Sequence, residues 1–406
     1  MNNRKKSNSH NNSFKIKNRK QGNYINYNNQ FLQATTQKKP KYIKYGKNCF
    51  LYPENSEIDD FSHYLSSLPC QPYEYICTQK GAKEIQKNLS KFHSECKTFL
   101  INVLSSYLPI IMTNIYGNYF VQEFIKTCND SQIIRILNYI SPNFVEIAQD
   151  YSGTHVLQAI LDKVQNNIVE EQLILKSIIG QEVSMAFNSN ATHVLQKIIT
   201  TIPEERRQNL NEILFQNLHQ LCFDSNGICL VKKMIKETKS QENKNKITMI
   251  ITEKCVEISK DPFGNYVIQY LFEEWDLYQI YPMINILIEH ICKLSIQKFS
   301  SNVSEKLIEL VDDSQKIIIF SKLFGERDLI SILKSKYGRF VLQKAVKIMQ
   351  KSQKDLIKQT LSKLNLSSSK EINYISLLYF SNNMLFRSIN NLISFRAGNS
   401  KLGELH

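Results

Sequence analysis

The sequence predicts an all-α protein, a right-handed α-solenoid of eight helical repeats that form a curved array with capping helices at its ends. Eight related segments recur along the chain at intervals of 36 to 38 residues. Each begins with a small residue, continues with one five-residue pattern, and is preceded by apolar residues at helical spacing. The small residues are Gly81, Gly117, Gly153, Ala191, Gly227, Gly264, Ser300 and Gly338.

The segment before each small residue has the apolar stripe of an amphipathic helix. Apolar residues between 210 and 221 fall at offsets of 3, 4, 8 and 11, and the same offsets return 37 residues later, between 247 and 258. Each repeat should therefore contain a helix, a turn that holds the small residue, and a second helix. Glycine suits the turn because it tolerates positive φ or a close backbone approach. Period-two alternation is not sustained, so no strand is expected.

The domain boundaries are predicted from the need of stacked repeats for a capping segment at each end. A single helix pair cannot bury its own apolar face, so neighbouring repeats must share one core and the terminal faces need caps. Residues 49–75, which contain three prolines, are expected to cap the start, and residues 354–395 to cap the end. The folded domain should span 49–395, and a short tail should follow at 396–406.

The chain is basic because of its first 48 residues. The formal net charge is +14, and residues 1–48 hold twelve Lys and Arg, eleven Asn and no acidic residue. The remainder carries 39 basic and 37 acidic side chains. The tail cannot bury enough apolar area to offset its ordering entropy, so it is expected to be disordered. Its basic clusters suit a nuclear address, a phosphate-binding arm or a solubilising tail, and they are no evidence about the folded part.

Composition and motifs exclude several classes of protein. No run approaches about 18 apolar residues and no apolar signal region is present, so neither a membrane span nor secretion is expected. The nine cysteines lack metal-ligand spacing, which favours reduced thiols inside the cell over a zinc site. No phosphate-binding glycine loop or HxxxH pair is found, so the chain is not expected to be an enzyme or to require a metal or cofactor.

The five residues after each small residue, the cassette, carry the candidate binding groups. Positions one and five are one helical turn apart and project from one face, position two flanks them, and positions three and four should point to the core. Position one holds Ala82, Asn118, Thr154, Thr192, Ile228, Asn265, Ser301 and Arg339. Position two holds Lys83, Tyr119, His155, His193, Cys229, Tyr266, Asn302 and Phe340. Position five holds Gln86, Gln122, Gln158, Gln196, Lys232, Gln269, Glu305 and Gln343.

Hydrogen-bonding side chains beside rings are the chemistry that reads unpaired bases. Amides and a carboxylate at a fixed spacing can contact the edge of a base, and the ring at position two can lie against its face. A solvated glutamine row, or a glutamine ladder with half-buried rings, is the structural alternative. Eight registered copies that vary among base-compatible residue types favour the binding interpretation.

The cassettes resemble those of the Pumilio/PUF family of RNA-binding proteins. DPFGNYVIQYLFEE at 261–274 is similar to the family signature, and FSSNVSEKLIE at 299–309 resembles its seventh repeat. The resemblance covers about residues 70–350, whereas HEAT and armadillo arrays have similar periods but lack the cassette. It implies an array that binds single-stranded RNA antiparallel, one base per repeat, with the last repeat at the 5′ base.

The family's recognition code implies a base for five of the repeats. By resemblance, guanine is read by Ser301 with Glu305, uracil by Asn265 with Gln269 and by Asn118 with Gln122, and adenine by Thr154 with Gln158 and by Ala82 with Gln86. The implied site is close to 5′-UGUNNAUA-3′. An ionised glutamate is acceptor-only, which fits the donors on guanine's pairing edge, and amides fit the mixed edge of uracil.

Three repeats depart from the family pattern. Ile228 cannot hydrogen-bond a base and Cys229 is a poor stacking surface, so the fifth repeat should be indifferent to base identity, with Lys232 on a phosphate. Thr192 replaces the family's Asn in the fourth repeat and leaves that base open. Arg339 replaces Asn in the eighth, which should weaken the 5′ uracil preference.

The resemblance also implies a biological role. It points to a monomeric, cytoplasmic binder of mRNA 3′ untranslated regions that regulates translation or mRNA stability, with deadenylase or translational repressor proteins as partners and no membrane. Two alternatives stay open. One is a nuclear or nucleolar PUF-like protein that binds structured nucleic acid with weak sequence preference, and the other is a helical scaffold that binds a peptide.

Overall fold

In a computed structural model of the chain, the structure describes residues 40–45, 48–53, 56–164, 166–355 and 357. The chain divides into two compact units, one that ends at Ser56 and one that begins at Glu57. The larger unit is a stack of helices in its described part, as the sequence predicts. The expected C-terminal cap and tail lie outside the described residues, except for positions 354, 355 and 357.

The helices α1 to α24 fall into successive triplets, each with a leading, a linking and a cassette helix. The leading helices are α1 Ser56–Ser66, α4 Ser94–Leu104, α7 Asp130–Ile140, α10 Ile168–Ser177, α13 Gln208–Gln216, α16 Gln241–Glu253, α19 Leu277–Glu289 and α22 Asp313–Leu323. The linking helices are α2 Pro72–Ile76, α5 Leu108–Thr113, α8 Phe144–Gln149, α11 Glu182–Phe187, α14 Leu218–Cys222, α17 Cys255–Lys260, α20 Ile291–Ser295 and α23 Glu326–Lys334. The cassette helices are α3 Gln79–Asn88, α6 Gly117–Thr127, α9 Tyr151–Lys163, α12 Ala191–Thr201, α15 Gly227–Glu237, α18 Gly264–Glu274, α21 Ser300–Leu310 and α24 Gly338–Ile348.

The cassette helices form one continuous row. Each packs against the next in chain order from α3 to α24, and each also packs on the linking helix of its own triplet. The leading helices α4, α7 and α10 pack in sequence, as do α13, α16 and α19. Because contacts run mainly between neighbouring triplets, the core is built along the stack, as in other solenoids.

Each triplet has three helices where the sequence predicted two. The apolar stripe from 210 to 221 is divided by Asn217 (φ −107°, ψ 7°) and that from 247 to 258 by Lys254 (φ −121°, ψ 21°). The short helix after the break still turns its apolar residues to the core, for example Leu218 and Leu221. A one-residue interruption therefore leaves the helical periodicity of the sequence intact, and the periodicity did not reveal it.

The start of the helical stack is covered by α1. The Phe61 ring packs against Phe92 at 4.6 Å and against Phe99 at 6.5 Å between centroids. The Cys96 thiol lies 3.7 Å from the carbonyl oxygen of Glu57. These contacts join α1, the leading helix of the first triplet, to the apolar face of α4.

The smaller unit differs from the sequence-based expectation of disorder and of no strands. Strands β1 Pro40–Tyr45 and β2 Asn48–Pro53 pair antiparallel, with Tyr45 opposite Asn48. Both strands are rich in aromatic and β-branched residues, and a two-residue connection that begins with Gly is a hairpin signal. The polar average over residues 1–48 concealed this local pattern. Residues 1–39 of the predicted tail lie outside the described residues.

One helical run in the described residues, Ser94–Thr113, has the length and apolar composition to cross a membrane. It comprises α4, a 3-10 turn and α5. Its apolar residues Phe99, Leu100 and Leu104 are fully buried against neighbouring helices. These contacts are those of a core helix in a helical stack.

Candidate nucleic-acid interface

A polar side chain three residues before the small residue fixes the start of most cassette helices. The Asp261 carboxylate accepts hydrogen bonds from the backbone N–H groups of Phe263 (2.7 Å) and Gly264 (2.8 Å). The same bonds are made by Asn114, Asp150, Asn188, Asp224 and, through its hydroxyl, Ser335. These caps were not predicted from the sequence, although short polar residues recur there at the repeat spacing.

The small residue is required by a close backbone approach. A Cβ at Gly264 would lie 2.7 Å from the carbonyl oxygen of Ile258, and one at Gly117 would lie 2.6 Å from that of Ile111. Of the glycines described, only Gly180 has positive φ, and it lies outside the cassettes. The cassette glycines are therefore explained by the close backbone approach and not by a positive φ. Ser300 has a side chain at the equivalent position, and its hydroxyl donates a hydrogen bond to the carbonyl of Leu294 at 2.6 Å.

Cassette positions three and four point to the core, as the periodicity predicts. They are buried in the second to eighth triplets, for example Val267 and Ile268. The first triplet places Glu84 at position three, where it is half-buried and accepts a hydrogen bond from the Tyr75 hydroxyl at 2.6 Å. That partner accounts for a carboxylate at an otherwise apolar position.

Positions one and five are neighbours one helical turn apart, with position one mostly buried and position five nearer the surface of the row. Gln122 Nε2 donates to Asn118 Oδ1 at 3.0 Å, and Gln269 Nε2 donates to Asn265 Oδ1 at 2.9 Å. The two positions therefore act as pairs, and the pair geometry is the same in the second and sixth triplets.

Position one is more buried than the sequence suggested. Asn265 is fully buried, and its Nδ2 donates to the carbonyls of Asp261 (2.9 Å) and Pro262 (3.0 Å). Its amide is thereby fixed, and its oxygen orients Gln269. Gln269 presents the more accessible polar edge, and Asn265 positions it. The other buried residues at position one are Ala82, Asn118, Thr154, Thr192 and Ser301.

Position two is exposed in all eight triplets. The side chains of Tyr119, Tyr266 and Phe340 are 61%, 53% and 59% exposed, which is unusual for rings of this size. The other exposed residues at position two are Lys83, His155, His193, Cys229 and Asn302. His155 also makes an edge contact with Tyr151, at 5.3 Å between centroids.

The seventh triplet has a carboxylate, Glu305, at position five. Burial raises the pKa of the Glu305 carboxyl, the nearby Lys344 ammonium lowers it, and Glu309 raises it further. Lys344 forms an ion pair with Glu309. The Ser301 hydroxyl donates to the carbonyl of Lys298 at 3.2 Å, which leaves its oxygen able to accept.

The third and fourth triplets both pair Thr with Gln but differ in their bonds. Thr154 Oγ1 donates to the carbonyl of Asn190 at 3.2 Å, and Gln158 Nε2 donates to the carbonyl of Thr154 at 3.3 Å. In the fourth triplet, Thr192 Oγ1 and Gln196 Nε2 are buried and have no hydrogen-bond partner among the described residues. Such groups are costly unless a ligand satisfies them.

The fifth triplet has no hydrogen-bonding side chain at position one. Ile228 is half-buried and Cys229 is exposed, with its thiol 3.9 Å from the Ser225 carbonyl. Lys232 Nζ lies 4.7 Å from the centroid of the Tyr270 ring in the next cassette helix. The lysine is therefore stabilised over a ring of the sixth triplet.

The ends of the row carry the remaining predicted residues. In the first triplet, Gln86 is half-buried beside the exposed Lys83. In the eighth, Arg339, Phe340 and Gln343 border a cavity of about 440 Å³. Within the described residues, no three His, Cys, Asp or Glu side chains are grouped as a metal site would require.

Comparison with known sequences identifies the family of this repeat. The family model of the NOP9-like PUF repeat domain matches residues 97–340. Pumilio homolog 12 of Arabidopsis thaliana is 27% identical over 352 residues, which covers 81% of this chain and 58% of the homolog. Suppressor protein MPT5 of Saccharomyces cerevisiae is 30% identical over 260 residues, 60% of this chain and 30% of that protein. The chain thus spans less than two thirds of these relatives' length.

Solved structures share the fold. The Puf4 RNA-binding domain bound to the HO endonuclease RNA 3′ UTR recognition sequence superposes with a TM-score of 0.65 at 24% identity, over 74% of this chain and 96% of that domain. The RNA-binding domain of yeast Puf5p bound to SMX2 RNA gives 0.63 at 23% identity, over 82% and 99%. The predicted repeat fold is confirmed by these likenesses. The family match covers more than half of the chain, and the chain therefore belongs to the Pumilio/PUF family.

Proposed function

We propose that this protein binds single-stranded RNA sequence-specifically, with one base at each cassette, and regulates mRNA after transcription. The observation that carries the proposal is the row of paired position-one and position-five groups beside exposed position-two side chains. Its support from relatives is that the structures of similar fold are RNA complexes. A base would meet the polar edge of a glutamine or glutamate and lie against a ring such as Tyr119 or Tyr266.

The proposed RNA element is 5′-UGUNNAUA-3′. The oriented amides of Gln122 and Gln269 suit the mixed donor and acceptor edge of uracil, and Glu305 suits the donors of guanine. Each base-ring contact is expected to contribute about 1–3 kcal/mol, and each mismatched edge to cost about 1–3 kcal/mol. The fifth triplet should accept any base because Ile228 offers no hydrogen bond.

The fourth triplet gives a separate reason to expect that a ligand binds along the row of cassette helices. The unpaired Thr192 Oγ1 and Gln196 Nε2 face a penalty of about 1–3 kcal/mol in the free protein. Both atoms are closed to solvent, so a base edge would reach Gln196 Nε2 after the glutamine side chain turns outward. This base is one of the two whose identity the proposed element leaves open.

The experiment that tests this function compares two RNAs by fluorescence anisotropy. One contains UGUNNAUA, and the other replaces UGU with ACA. We expect the first to bind at least about a hundredfold more tightly, because three mismatched edges are introduced. Equal affinities would overturn the claim that the cassettes read sequence.

The match to the NOP9-like family model supports a second candidate, a nucleolar protein that binds structured nucleic acid with little sequence preference. It predicts similar affinity for the UGU and ACA RNAs and tighter binding to a hairpin. The mRNA-directed function instead predicts a mainly cytoplasmic protein, with 3′ untranslated regions as targets and deadenylase or repressor proteins as partners. Imaging of a tagged full-length chain separates the two locations.

A further inference from the structure

The first cassette helix carries a stripe of lysines that no other cassette helix has. Lys80, Lys83, Lys87 and Lys91 follow one another at steps of 3, 4 and 4 residues along α3 and the short 3-10 segment after it, and all four are exposed. Such steps place side chains on one helix face. In each of the other seven cassette helices, the equivalent four positions hold at most one lysine.

Lysines at the third position of this stripe are engaged elsewhere in the row. Lys197 pairs with Asp162, Lys306 with Glu273 and Lys344 with Glu309, each across to the preceding cassette helix. The equivalent acidic partner is missing for α3, which begins the row. Within the described part of the chain, no carboxylate lies within ion-pair distance of Lys80, Lys83 or Lys87. The stripe is therefore a concentration of uncompensated positive charge.

The stripe borders an open cavity that continues the candidate RNA surface. The cavity measures about 440 Å³ between α3 and α6 and is lined by Lys83, Gln86, Lys87, Leu89, Ser90 and Thr127, together with Glu123. Glu123 is held by Lys126 at 2.5 Å, so its charge is largely compensated. Hydroxyls and ammonium groups without a neighbouring free carboxylate form a surface that suits phosphate oxygens.

We propose that the α3 lysine stripe binds the phosphates of RNA that continues past the base held by the first triplet, on the 3′ side, without regard to sequence. This inference rests on the proposed function, which places the 3′ end of the element at the first triplet. The stripe is about 16 Å long at 1.5 Å per residue, enough to face about two or three phosphates of an extended strand. The stripe extends the RNA site beyond the eight-base element, and its phosphate contacts add a salt-dependent contribution to RNA affinity.

The experiment measures RNA affinity as a function of flanking length and salt with the full-length protein. Three RNAs are used: the eight-base element, the element with six uridines added at its 3′ end, and the element with six uridines added at its 5′ end. The variant is Lys80→Gln/Lys87→Gln/Lys91→Gln, which leaves the cassette residue Lys83 in place. A matched control, Lys176→Gln/Lys254→Gln/Lys293→Gln, removes the same charge from exposed lysines outside the cassette helices.

We expect the 3′ extension to tighten binding at least about fivefold at low salt and to steepen the slope of log K against log salt by about 2. The triple variant should lose both effects and still prefer UGU over ACA, and the control should keep them. Replacing the added uridines with adenosines should change nothing. A 3′ extension without effect in the wild-type protein, or one that survives in the variant, would overturn the inference.

Failure of the proposed function gives a different result. If the eight-base UGU and ACA elements bind equally, the cassettes do not read sequence, whatever the extension does. If UGU is preferred and the 3′ extension adds no more than the 5′ extension, the function stands and the stripe has no role in RNA binding. Unchanged melting temperatures of both triple variants ensure that the comparison concerns folded protein.

Discussion

Gln269 donates a hydrogen bond to Asn265 across one turn of α18, with 2.9 Å between Nε2 and Oδ1. Asn265 in turn is fixed because its own Nδ2 donates to the carbonyls of Asp261 and Pro262. The glutamine edge that we propose to meet a base is thus oriented in the free protein. Preorganised groups bind more tightly because less conformational freedom is lost on association.

Removal of the orienting amide should weaken base discrimination more than it weakens the fold. For Asn265→Ala we expect an affinity loss of about 1–2 kcal/mol, roughly 5- to 30-fold, on RNA with uracil at the matching base. The loss should be much smaller when that base is changed, because a freed Gln269 can rotate to suit other edges. Anisotropy with the four RNAs that differ at this base measures both effects.

The control for this substitution is Asn285→Ala on the exposed face of α19. It removes an amide of the same kind away from the cassettes and should change no affinity. An equal loss for all four bases in Asn265→Ala would contradict a positioning role for Asn265.

RNA binding should be sensitive to acid through Glu305. Burial raises the pKa of this carboxyl, so the free protein begins to protonate it at a higher pH than an ordinary glutamate. A protonated carboxyl loses acceptor capacity for the donors of guanine, so affinity for the UGU element should fall as the pH is lowered through that raised pKa. Titration of the dissociation constant from pH 8 to pH 5 measures it.

Glu305→Gln supplies the comparison for the pH profile. The variant should bind more weakly at pH 8, and its affinity should vary less between pH 8 and pH 5. Parallel profiles for the two proteins would show that another group controls the acid sensitivity.

The glycines of the cassettes should be intolerant of even one methyl group. In Gly264→Ala the added Cβ would lie 2.7 Å from the Ile258 carbonyl oxygen and 3.1 Å from that of Cys222, so backbone must move. We expect a destabilisation of about 2 kcal/mol or more, measured by chemical denaturation followed by circular dichroism. Ala191→Gly, at the equivalent position of the fourth triplet, should cost only about 0.5–1 kcal/mol. A Gly264→Ala protein as stable as the wild type would refute the close-approach explanation.

A buried carboxyl should make the fold less stable as pH rises. Burial raises the pKa of Glu170 from its ordinary 4.5 to about 7, and Asp130 adds to the effect. Between those values the folded chain keeps a proton that the unfolded chain has lost, so folding stability falls as pH increases through this window. Glu170→Gln should therefore be more stable than the wild type at pH 8, by about 1–3 kcal/mol, and not at pH 4.

Thermal unfolding at the two pH values tests this prediction. Glu257→Gln, an exposed glutamate, should shift stability by less than about 0.5 kcal/mol at either pH. The same melting difference between Glu170→Gln and the wild type at pH 4 and pH 8 would exclude titration of Glu170 as the cause.

The row of cassette helices could be predicted from sequence because three independent signals coincide there. The small residue, the two apolar positions and the polar pair recur together, so that their registration identifies helix, core and surface at once. This registration predicts that Val267 and Ile268 lie in the core and that Tyr266 lies on the surface, as the structure shows. At these positions the local helix pattern and the packing of the whole array favour the same placement, so the sequence alone predicts it.

Features that depend on a single residue or on tertiary contact were not predictable. The break at Lys254 leaves the apolar spacing unchanged, and the burial of Asn265 depends on carbonyls of the preceding turn. Strand β1 was concealed by the average composition of the polar segment around it. The capping residues, such as Asp224, carried a signal in their repeat spacing, but it lay outside the five-residue cassette.

The most direct test of the account is an exchange of base preference in the seventh triplet. Ser301→Asn with Glu305→Gln gives α21 the polar pair that α18 already has, and it leaves the rest of the row unchanged. Affinities are measured for four RNAs that differ only at the second base of the element. The account predicts that the preferred base changes from guanine to uracil. A variant that still prefers guanine, or that loses affinity equally for all four RNAs at an unchanged melting temperature, would contradict it.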